Sequence, residues 1–456
     1  MLKDLEGSTT QEVSVESFEV PDDICYCIMS FLDSLFVVGT CARISKQWFH
    51  AASNVELSFS FKKSVSPRII ERMVVSSLMR NLSTLQFSKN KIGDDGVKMI
   101  TSSEMLKNLT CLNFEYTFKE TRPCLNRWSG IEKRYDIGTE SICAITNSPY
   151  MSRLTILKLG SINMRGDRMK YLVESPHLKK LTKLSLASCS LTTADVKRLT
   201  ESSTLTHLKK LSLKANTLDS TSLRYISDSN NMIHLTHLKL SYQQIGQNIK
   251  WITESKNMSN LTALDLTGCG MSTDDLQYIT SSQYMANLRK LNLENNQIGN
   301  SGCVHIANSQ YLANLTQLNI GGYSHKIKSE GIEHLVSSKY MSNLTSLCLG
   351  GNNIRSAGCS LIASSPHMSK LTELIVRSNN IGSDGCKFLA QSQNLSSLKI
   401  LDLESNMIGD AGAIALGESP HLANLRKLII RGNDLGFEGA RSITTRKYLK
   451  TCLIYV

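Results

Sequence analysis

Lysines that alternate with leucines along short predicted strands are the residues of this sequence with the clearest binding chemistry. In four consecutive copies of a repeated motif, the positions two, four and six residues after the first leucine hold no acid but include several lysines. These lysines are Lys158, Lys183, Lys210, Lys214 and Lys239. Successive strand side chains point to opposite faces, so the lysines lie on the face opposite the leucines. The pattern favours a shallow basic surface for an acidic or phosphorylated partner, and a solvated lysine face is the alternative.

Three isoleucines occupy the same outward positions nearer the C-terminus. They are Ile375, Ile400 and Ile429, and charged residues such as Glu373 and Arg431 stand beside them. Apolar side chains surrounded by charges on an exposed sheet face indicate a protein contact. Single exposed isoleucines are also ordinary on protein surfaces, so both interpretations stay open. We count the three isoleucines with the five lysines as candidate target-binding residues.

The sequence offers no pattern for catalysis, metal binding or cofactor binding. It has no phosphate-binding glycine loop, no dinucleotide-binding glycine pattern and no His-Glu-x-x-His motif. Cys25 and Cys27 are two residues apart on a predicted helix, so their side chains diverge. His234 and His237 have no neighbours in the sequence that suit a metal site. We therefore expect no enzymatic activity, no catalytic residue, no cofactor and no metal.

A repeat that runs from Leu82 almost to the C-terminus must position these residues. Its pattern is Leu-x-x-Leu-x-Leu-x-x-Asn-x-Ile, and most copies are 27 residues apart. The first leucines are Leu82, Leu109, Leu154, Leu181, Leu208, Leu235, Leu261, Leu288, Leu315, Leu344, Leu371, Leu398 and Leu425. The leucines share one face of a strand, the asparagine can satisfy the amides of a buried turn, and a later apolar anchor indicates a helix. Such a period predicts stacked strand–turn–helix units with one continuous core.

This pattern resembles the leucine-rich repeat family over residues 55–456. The resemblance implies an α/β horseshoe solenoid with parallel strands inside and helices outside. The copies that start at Leu154 to Leu261 lack a second glycine that the other copies carry, so we expect altered helix packing there. The copy that starts at Leu109 is longer by eighteen residues, which places a basic insertion with Trp128 near residues 118–135. Such an insertion is either a tolerated decoration or part of a binding edge.

The first 54 residues differ from the repeats. Residues 1–17 are polar and acidic, and we expect a disordered tail. Residues 18–54 predict three short helices, the first with Pro21 in its first turn and a stripe formed by Ile24, Ile28 and Leu32. So small a helical unit is marginal by itself. It must therefore pack against the first repeat, against a partner, or against both.

Residues 18–54 resemble the F-box. Val20-Pro21 stands where that motif has Leu-Pro, and Ile28, Phe31 and Leu32 stand in its Ile-x-x-aromatic-Leu stretch. The segment 44–48, Ile-Ser-Lys-Gln-Trp, matches its closing stretch, whereas the second helix departs from the motif. The resemblance implies that Val20, Pro21, Ile24, Ile28 and Leu32 bind a Skp-family adaptor in a Skp–cullin–F-box ubiquitin ligase. The alternative is that this helical unit only caps the first repeat.

Composition adds limits to these expectations. The formal net charge is +12, which favours acidic partners, but the basic residues are spread along the chain and aromatic residues are only 6%. We therefore do not expect nucleic-acid binding. The thirteen cysteines show no pairing pattern, and neither a signal peptide nor an apolar run long enough to span a membrane is present, so we expect a cytoplasmic or nuclear protein.

The sequence thus predicts a non-catalytic substrate-recognition subunit of a Skp–cullin–F-box ubiquitin ligase. In this interpretation, the repeats capture a protein target and partner subunits carry out the chemistry. The alternative is a leucine-rich repeat scaffold or inhibitor with a helical cap and no ligase role.

Overall fold

The protein is built on one parallel sheet in which every strand pairs with the next strand in the sequence. The structure is a computed structural model that describes residues 46–52, 54–61, 65–87, 92–115, 137–445 and 448–456. Within these residues the sheet has 15 strands in the order β1 to β15. A helix follows each of β1 to β14 and packs beside the helix of the next repeat. The α/β solenoid implied by the sequence is therefore confirmed.

The strands are short and evenly spaced along the chain. Their bounds are β1 Leu57–Ser60, β2 Leu82–Gln86, β3 Cys111–Asn113, β4 Ile156–Lys158, β5 Lys183–Ser185, β6 Lys210–Ser212, β7 His237–Lys239, β8 Ala263–Asp265, β9 Lys290–Asn292, β10 Gln317–Asn319, β11 Ser346–Cys348, β12 Glu373–Ile375, β13 Ile400–Asp402, β14 Lys427–Ile429 and β15 Leu453–Tyr455.

Within the described ranges, one helix precedes the sheet and the others alternate with its strands. Their bounds are α1 Lys46–Ala52, α2 Pro67–Val75, α3 Gly93–Ser102, α4 Thr139–Asn147, α5 Asp167–Glu174, α6 Thr193–Thr200, α7 Ser220–Asp228, α8 Lys250–Thr253, α9 Thr273–Thr280, α10 Gly299–Asn308, α11 Ser329–Ser337, α12 Arg355–Ser364, α13 Gly382–Gln391, α14 Gly409–Gly417 and α15 Phe437–Thr445. Short 3-10 turns such as Pro149–Met151 and Gln283–Met285 follow most of them.

The core lies between the sheet and the helices. In the repeat that starts at Leu288, the leucines Leu288, Leu291 and Leu293 are at most 1% exposed, and the helix anchor Ile306 is fully buried. The same positions of the other described repeats are buried as well, and together they form one continuous apolar cluster. At the N-terminal end, stacked phenylalanines replace the third leucine, with ring centroids of Phe87 and Phe114 5.7 Å apart.

Buried amide side chains connect consecutive repeats at the turn after each strand. Asn379 lies eight residues after Leu371 and is fully buried. Its Nδ2 donates to the carbonyls of Leu349 and Val376 at 2.9 and 3.0 Å, and its Oδ1 accepts from the amide of Ile354 at 3.3 Å. Residues at the same position form equivalent bonds: Asn216, Gln243, Asn296, Asn352, Asn406 and Asn433. Because an unpaired buried amide costs roughly 1–3 kcal/mol, this ladder fixes the register of the repeats.

A second ladder, formed by serines, connects the repeats on the helix side. The hydroxyl of Ser202 donates to the carbonyl of Val173 at 2.6 Å and accepts from the amide of Thr204 at 3.2 Å. Ser255 and Ser392 make the corresponding bonds to Ser227 and Ala363 at 2.7 and 2.6 Å. Serine recurs 20 or 21 residues after the first leucine in most repeats, but we did not derive this ladder from the sequence.

The helices of the middle repeats differ from the others, as the missing glycine predicts. Gly302, Gly358 and Gly385 leave no room for a Cβ atom, which would lie 2.1–2.7 Å from the isoleucine that precedes each helix. These glycines lie in helices of ten residues, α10, α12 and α13. Helices α5, α6 and α9 have eight residues, and α8 has only four. Hydroxyl and carboxylate caps such as the Thr192–Asp195 capping box begin several of them instead.

Most of the N-terminal predictions lie outside the described residues. This applies to residues 1–17, to the adaptor-binding residues Val20, Pro21, Ile24, Ile28 and Leu32, to the side chain of Trp48 and to the insertion near 118–135. The third predicted helix is present as α1, and its Ala51 and Ala52 are buried in the same apolar cluster as Leu57 of β1.

His325 takes the asparagine position in the repeat that starts at Leu315, which is two residues longer than its neighbours. Its ring nitrogens lie 3.3 and 3.4 Å from the amides of Asn296 and Ile298, and the ring also bonds the carbonyls of Leu293 and Gly321. A neutral imidazole can accept from one amide and donate to one carbonyl, whereas an imidazolium can only donate. Burial accordingly lowers the pKa of His325 to about 4.

We expect acid to destabilise the solenoid through His325. His325 takes up a proton near pH 6.5 in the unfolded chain and only near pH 4 in the folded chain. Its contribution to the free energy of unfolding is therefore fully present above pH 6.5, and roughly 3 kcal/mol of it is lost as the pH falls to 4. In His325→Asn this loss should be absent, because the amide restores the ladder without a titrating group. Urea unfolding at pH 7 and pH 4.5 measures the difference, and an equal acid sensitivity in both chains would contradict it.

We also expect Leu291→Asp to disrupt the solenoid. Leu291 is 1% exposed at the centre of the sheet, so the substitution leaves a cavity and buries an unpaired carboxylate. The free energy of unfolding should fall by about 4 kcal/mol or more. The control is Gln317→Asp on the exposed face of the neighbouring strand, which should change the same urea midpoint little. Equal stability of the two variants would show that the leucine face is not the core.

Candidate functional site

The open face of the sheet arranges the outward side chains in rows across the strands. Strand pairing aligns Lys183 with Lys210, Lys210 with His237, His237 with Ala263 and Ala263 with Lys290. Neighbouring strands are about 4.8 Å apart, so adjacent members of the row are close enough to contact one ligand group. We call Lys183, Lys210 and His237 the basic row.

The basic row is a region of uncompensated positive charge. Partial burial lowers the pKa of Lys183, and the ammonium groups of Lys158 and Lys210 lower it further. Burial also lowers the pKa of His237, followed by the effect of Lys210 and Lys290. Among the described residues, Lys183 and Lys210 have no carboxylate within ion-pair distance. The row therefore favours a ligand that brings negative charge.

The lysines on either side of the row are partly neutralised by acids from neighbouring repeats. Lys158 Nζ lies 3.8 Å from a carboxylate oxygen of Glu115, whose other oxygen accepts from the Ser185 hydroxyl at 2.8 Å. Lys239 Nζ lies 3.9 Å from a carboxylate oxygen of Asp265. Inspection of one repeat at a time could not find these pairs, because Glu115 belongs to the repeat before that of Lys158 and Asp265 to the repeat after that of Lys239.

Lys214 lies beyond the end of β6 and contacts an aromatic ring. Its Nζ is 4.7 Å from the ring centroid of Tyr242, and that ring lies over Gly268, where a Cβ atom would be 3.1 Å from it. Tyr242 has a φ of 60°, a left-handed conformation that other described repeats fill with Ser, Ala, Asn or Gly at the equivalent position. A bulky residue in this conformation is strained, and such residues often mark functional sites. The sequence analysis missed Tyr242, although the contrast with the small residues at this position was readable.

The sheet face continues into a depression of about 480 Å³ between β7 and β12. His237, Lys239 and Lys290 line its basic side, and Ile375 lies at its far end. The sequence analysis also missed Lys290, because its repeat, which starts at Leu288, lies C-terminal to the four repeats in which lysines cluster. The depression joins the candidate lysines to the first candidate isoleucine.

The three isoleucines lie on neighbouring strands but do not form one row. Ile375 and Ile429 align with Asp402 between them, whereas Ile400 lies in the other row between Glu373 and Lys427. All three are half-buried. Burial raises the pKa of Asp402. The C-terminal part of the face is therefore a mixed apolar and charged surface, which suits a protein contact.

Three cysteines recur at one position of the helix layer, and burial makes them unreactive. Cys303, Cys359 and Cys386 are fully buried, and burial raises the pKa of Cys303 and Cys386 to about 12. No group of three or more His, Cys, Asp or Glu side chains suits a metal ion in the described ranges. No described helix is long and apolar enough to span a membrane.

Comparisons with known proteins agree with this architecture. Seven segments match the leucine-rich repeat family, namely 79–100, 257–279, 284–307, 340–363, 367–390, 394–417 and 421–443. No curated protein matches the sequence.

Three solved structures that match this chain have low sequence identity to it. A Rad7–Elc1 complex from yeast has a TM-score of 0.53 and 13% identity, with 95% of this chain and 92% of that chain covered. An internalin from Listeria monocytogenes has a TM-score of 0.44 and 21% identity, with coverages of 79% and 88%. A leucine-rich repeat protein from Leptospira interrogans has a TM-score of 0.42 and 18% identity, with coverages of 90% and 98%. The fold is a leucine-rich repeat solenoid.

Proposed function

We propose that this protein is a non-catalytic recognition protein that captures a macromolecular target on the open face of its sheet. The observation that carries the proposal is the basic row, where Lys183 and Lys210 lie side by side and no carboxylate in the described part of the chain lies within ion-pair distance of them. Adjacent like charges are destabilising on a sheet unless solvent or a ligand compensates them. A negatively charged segment of a partner supplies that compensation.

Protein is favoured over nucleic acid as the target. A nucleic-acid surface needs positive charge along an extended track of phosphates. Here acids interrupt the face on both sides of the basic row, with Glu115 before it and Asp265 after it. Isoleucines and further acids occupy its C-terminal part. This alternation suits one charged segment of a folded or extended protein.

We further propose that the recognition protein belongs to a Skp–cullin–F-box type ubiquitin ligase. The support is the F-box resemblance of residues 18–54 directly ahead of the repeats. The yeast structure with a similar fold was solved as a Rad7–Elc1 complex. In such a role the solenoid would raise the effective concentration of the target near the transfer machinery. The chemistry would belong to partner subunits in the cytoplasm or nucleus.

The alternative is a scaffold or inhibitor whose helical unit only seals the first repeat. The buried Ala51 and Ala52 of α1, which pack in the same cluster as Leu57, suit this alternative as well. Both roles are compatible, since one face of a small helical unit can pack on the solenoid while another binds an adaptor. Adaptor binding therefore separates the two proposals.

We expect the double variant Lys183→Glu and Lys210→Glu to lose target capture without loss of stability. Reversing two charges in the row replaces attraction with repulsion and should lower affinity by about ten-fold or more. The matched control is Lys170→Glu with Lys256→Glu, which makes the same charge change at exposed positions on the helix side. Quantitative affinity purification with a thermal melt of each chain is the measurement. Identical partner lists for both variants would rule out the row as the capture site.

We expect the purified chain to bind a Skp-family adaptor at micromolar concentration. Pro21→Glu with Ile24→Glu should abolish this binding, because charges would replace the apolar stripe implied to contact the adaptor. The control is Val13→Glu with Val15→Glu in the predicted tail, which should bind normally. A pull-down with purified adaptor and circular dichroism of each chain are the measurements. If the unaltered chain binds no adaptor, the scaffold alternative replaces the ligase role.

A further inference from the structure

We infer that the segment captured on the basic row is phosphorylated, and that Lys183, Lys210 and His237 bind its phosphoryl group. This inference rests on the proposed function and specifies the chemistry of its ligand. It depends on charge balance across strands and on the orientation of one imidazole.

The charge balance favours a dianion. Lys158 and Lys239 each have a carboxylate within 4 Å, so the uncompensated charge is concentrated on Lys183 and Lys210, which occupy adjacent strands. The side chains of Lys183 and Lys210 leave strands that are about 4.8 Å apart, so both ammonium groups can contact one phosphoryl group. A phosphate monoester carries a charge of about −1.5 to −2 and three acceptor oxygens, whereas a carboxylate carries −1 and two. The phosphoryl group therefore matches the row in both charge and number of acceptors.

The hydrogen bonds of His237 leave one ring nitrogen for a ligand. The hydroxyl of Thr236 donates to the carbonyl of Lys209 at 3.0 Å, and its oxygen lies 2.9 Å from Nδ1 of His237. A hydroxyl has one proton, so this oxygen accepts from an Nδ1–H group. Nε2 then carries the lone pair, and the negative charge of a bound phosphoryl group would favour its protonation, which opposes the lowering of the His237 pKa by burial and by the neighbouring lysines. The imidazole would become a third donor to the phosphoryl group.

The decisive experiment measures peptide binding to the full chain by fluorescence anisotropy. The probes are three labelled peptide pools with degenerate flanks around a fixed phosphoserine, serine or aspartate. We expect the phosphoserine pool to bind at least ten-fold more tightly than the other two. Lys183→Ala with Lys210→Ala should remove this preference, and Lys170→Ala with Lys256→Ala should keep it. Equal binding of the phosphoserine and aspartate pools would overturn the inference.

Two further outcomes separate the inference from the proposed function. In the first, Lys183→Glu with Lys210→Glu weakens target capture, but phosphatase treatment of the lysate does not. This result would support the proposed function and overturn the phosphoryl ligand. A synthetic peptide of residues 1–17, with Asp4, Glu6, Glu12 and Glu16, serves as an unphosphorylated competitor. If it displaces the phosphoserine pool at an equal concentration, the chain's own acidic segment is the occupant and the inference fails.

Discussion

Buried backbone groups at the turns between repeats are the constraint on which this molecule depends. Each turn leaves amides and carbonyls away from water, and they must be paired within the protein. Asn379, Asn406 and their equivalents pair them by donating to carbonyls of two repeats and accepting from an amide of the preceding one. The serine ladder does the same on the helix side. Side chains therefore connect each repeat to its neighbour in addition to strand pairing.

Departures from the ladder show which side chains can replace its asparagine. Gln243 and His325 keep the bonds with longer side chains, and the repeat of His325 has two additional residues. Cys189 and Cys269 donate to carbonyls through sulfur, and the backbone carbonyls of these cysteines accept the amides of Met164 and Ile245. In each case the register of the strands is preserved.

That register creates the surface for recognition. Since the strands align residue by residue, side chains that are 27 residues apart in the sequence become neighbours on the sheet. Lys183 and Lys210 are brought together, while Glu115 and Asp265 approach Lys158 and Lys239 from the adjoining strands. The core is built from the inward positions of the strands and from the helix anchors, so the outward strand positions can vary with little effect on stability. Function is thereby separated from folding within the same short strand.

The sequence by itself determined the repeat, the parallel sheet, the buried leucine face and the asparagine position, because a fixed period of apolar residues has few stable arrangements. It also indicated which side of each strand carries Lys183, Lys210 and Ile375, since strand side chains alternate. Only the tertiary structure decided which lysines are neutralised, that the isoleucines are staggered around Asp402, and that Tyr242 is held in a left-handed turn under Lys214. Those properties depend on distances between side chains of different repeats. The stacking of the repeats sets these distances, and the sequence of a single repeat does not contain them.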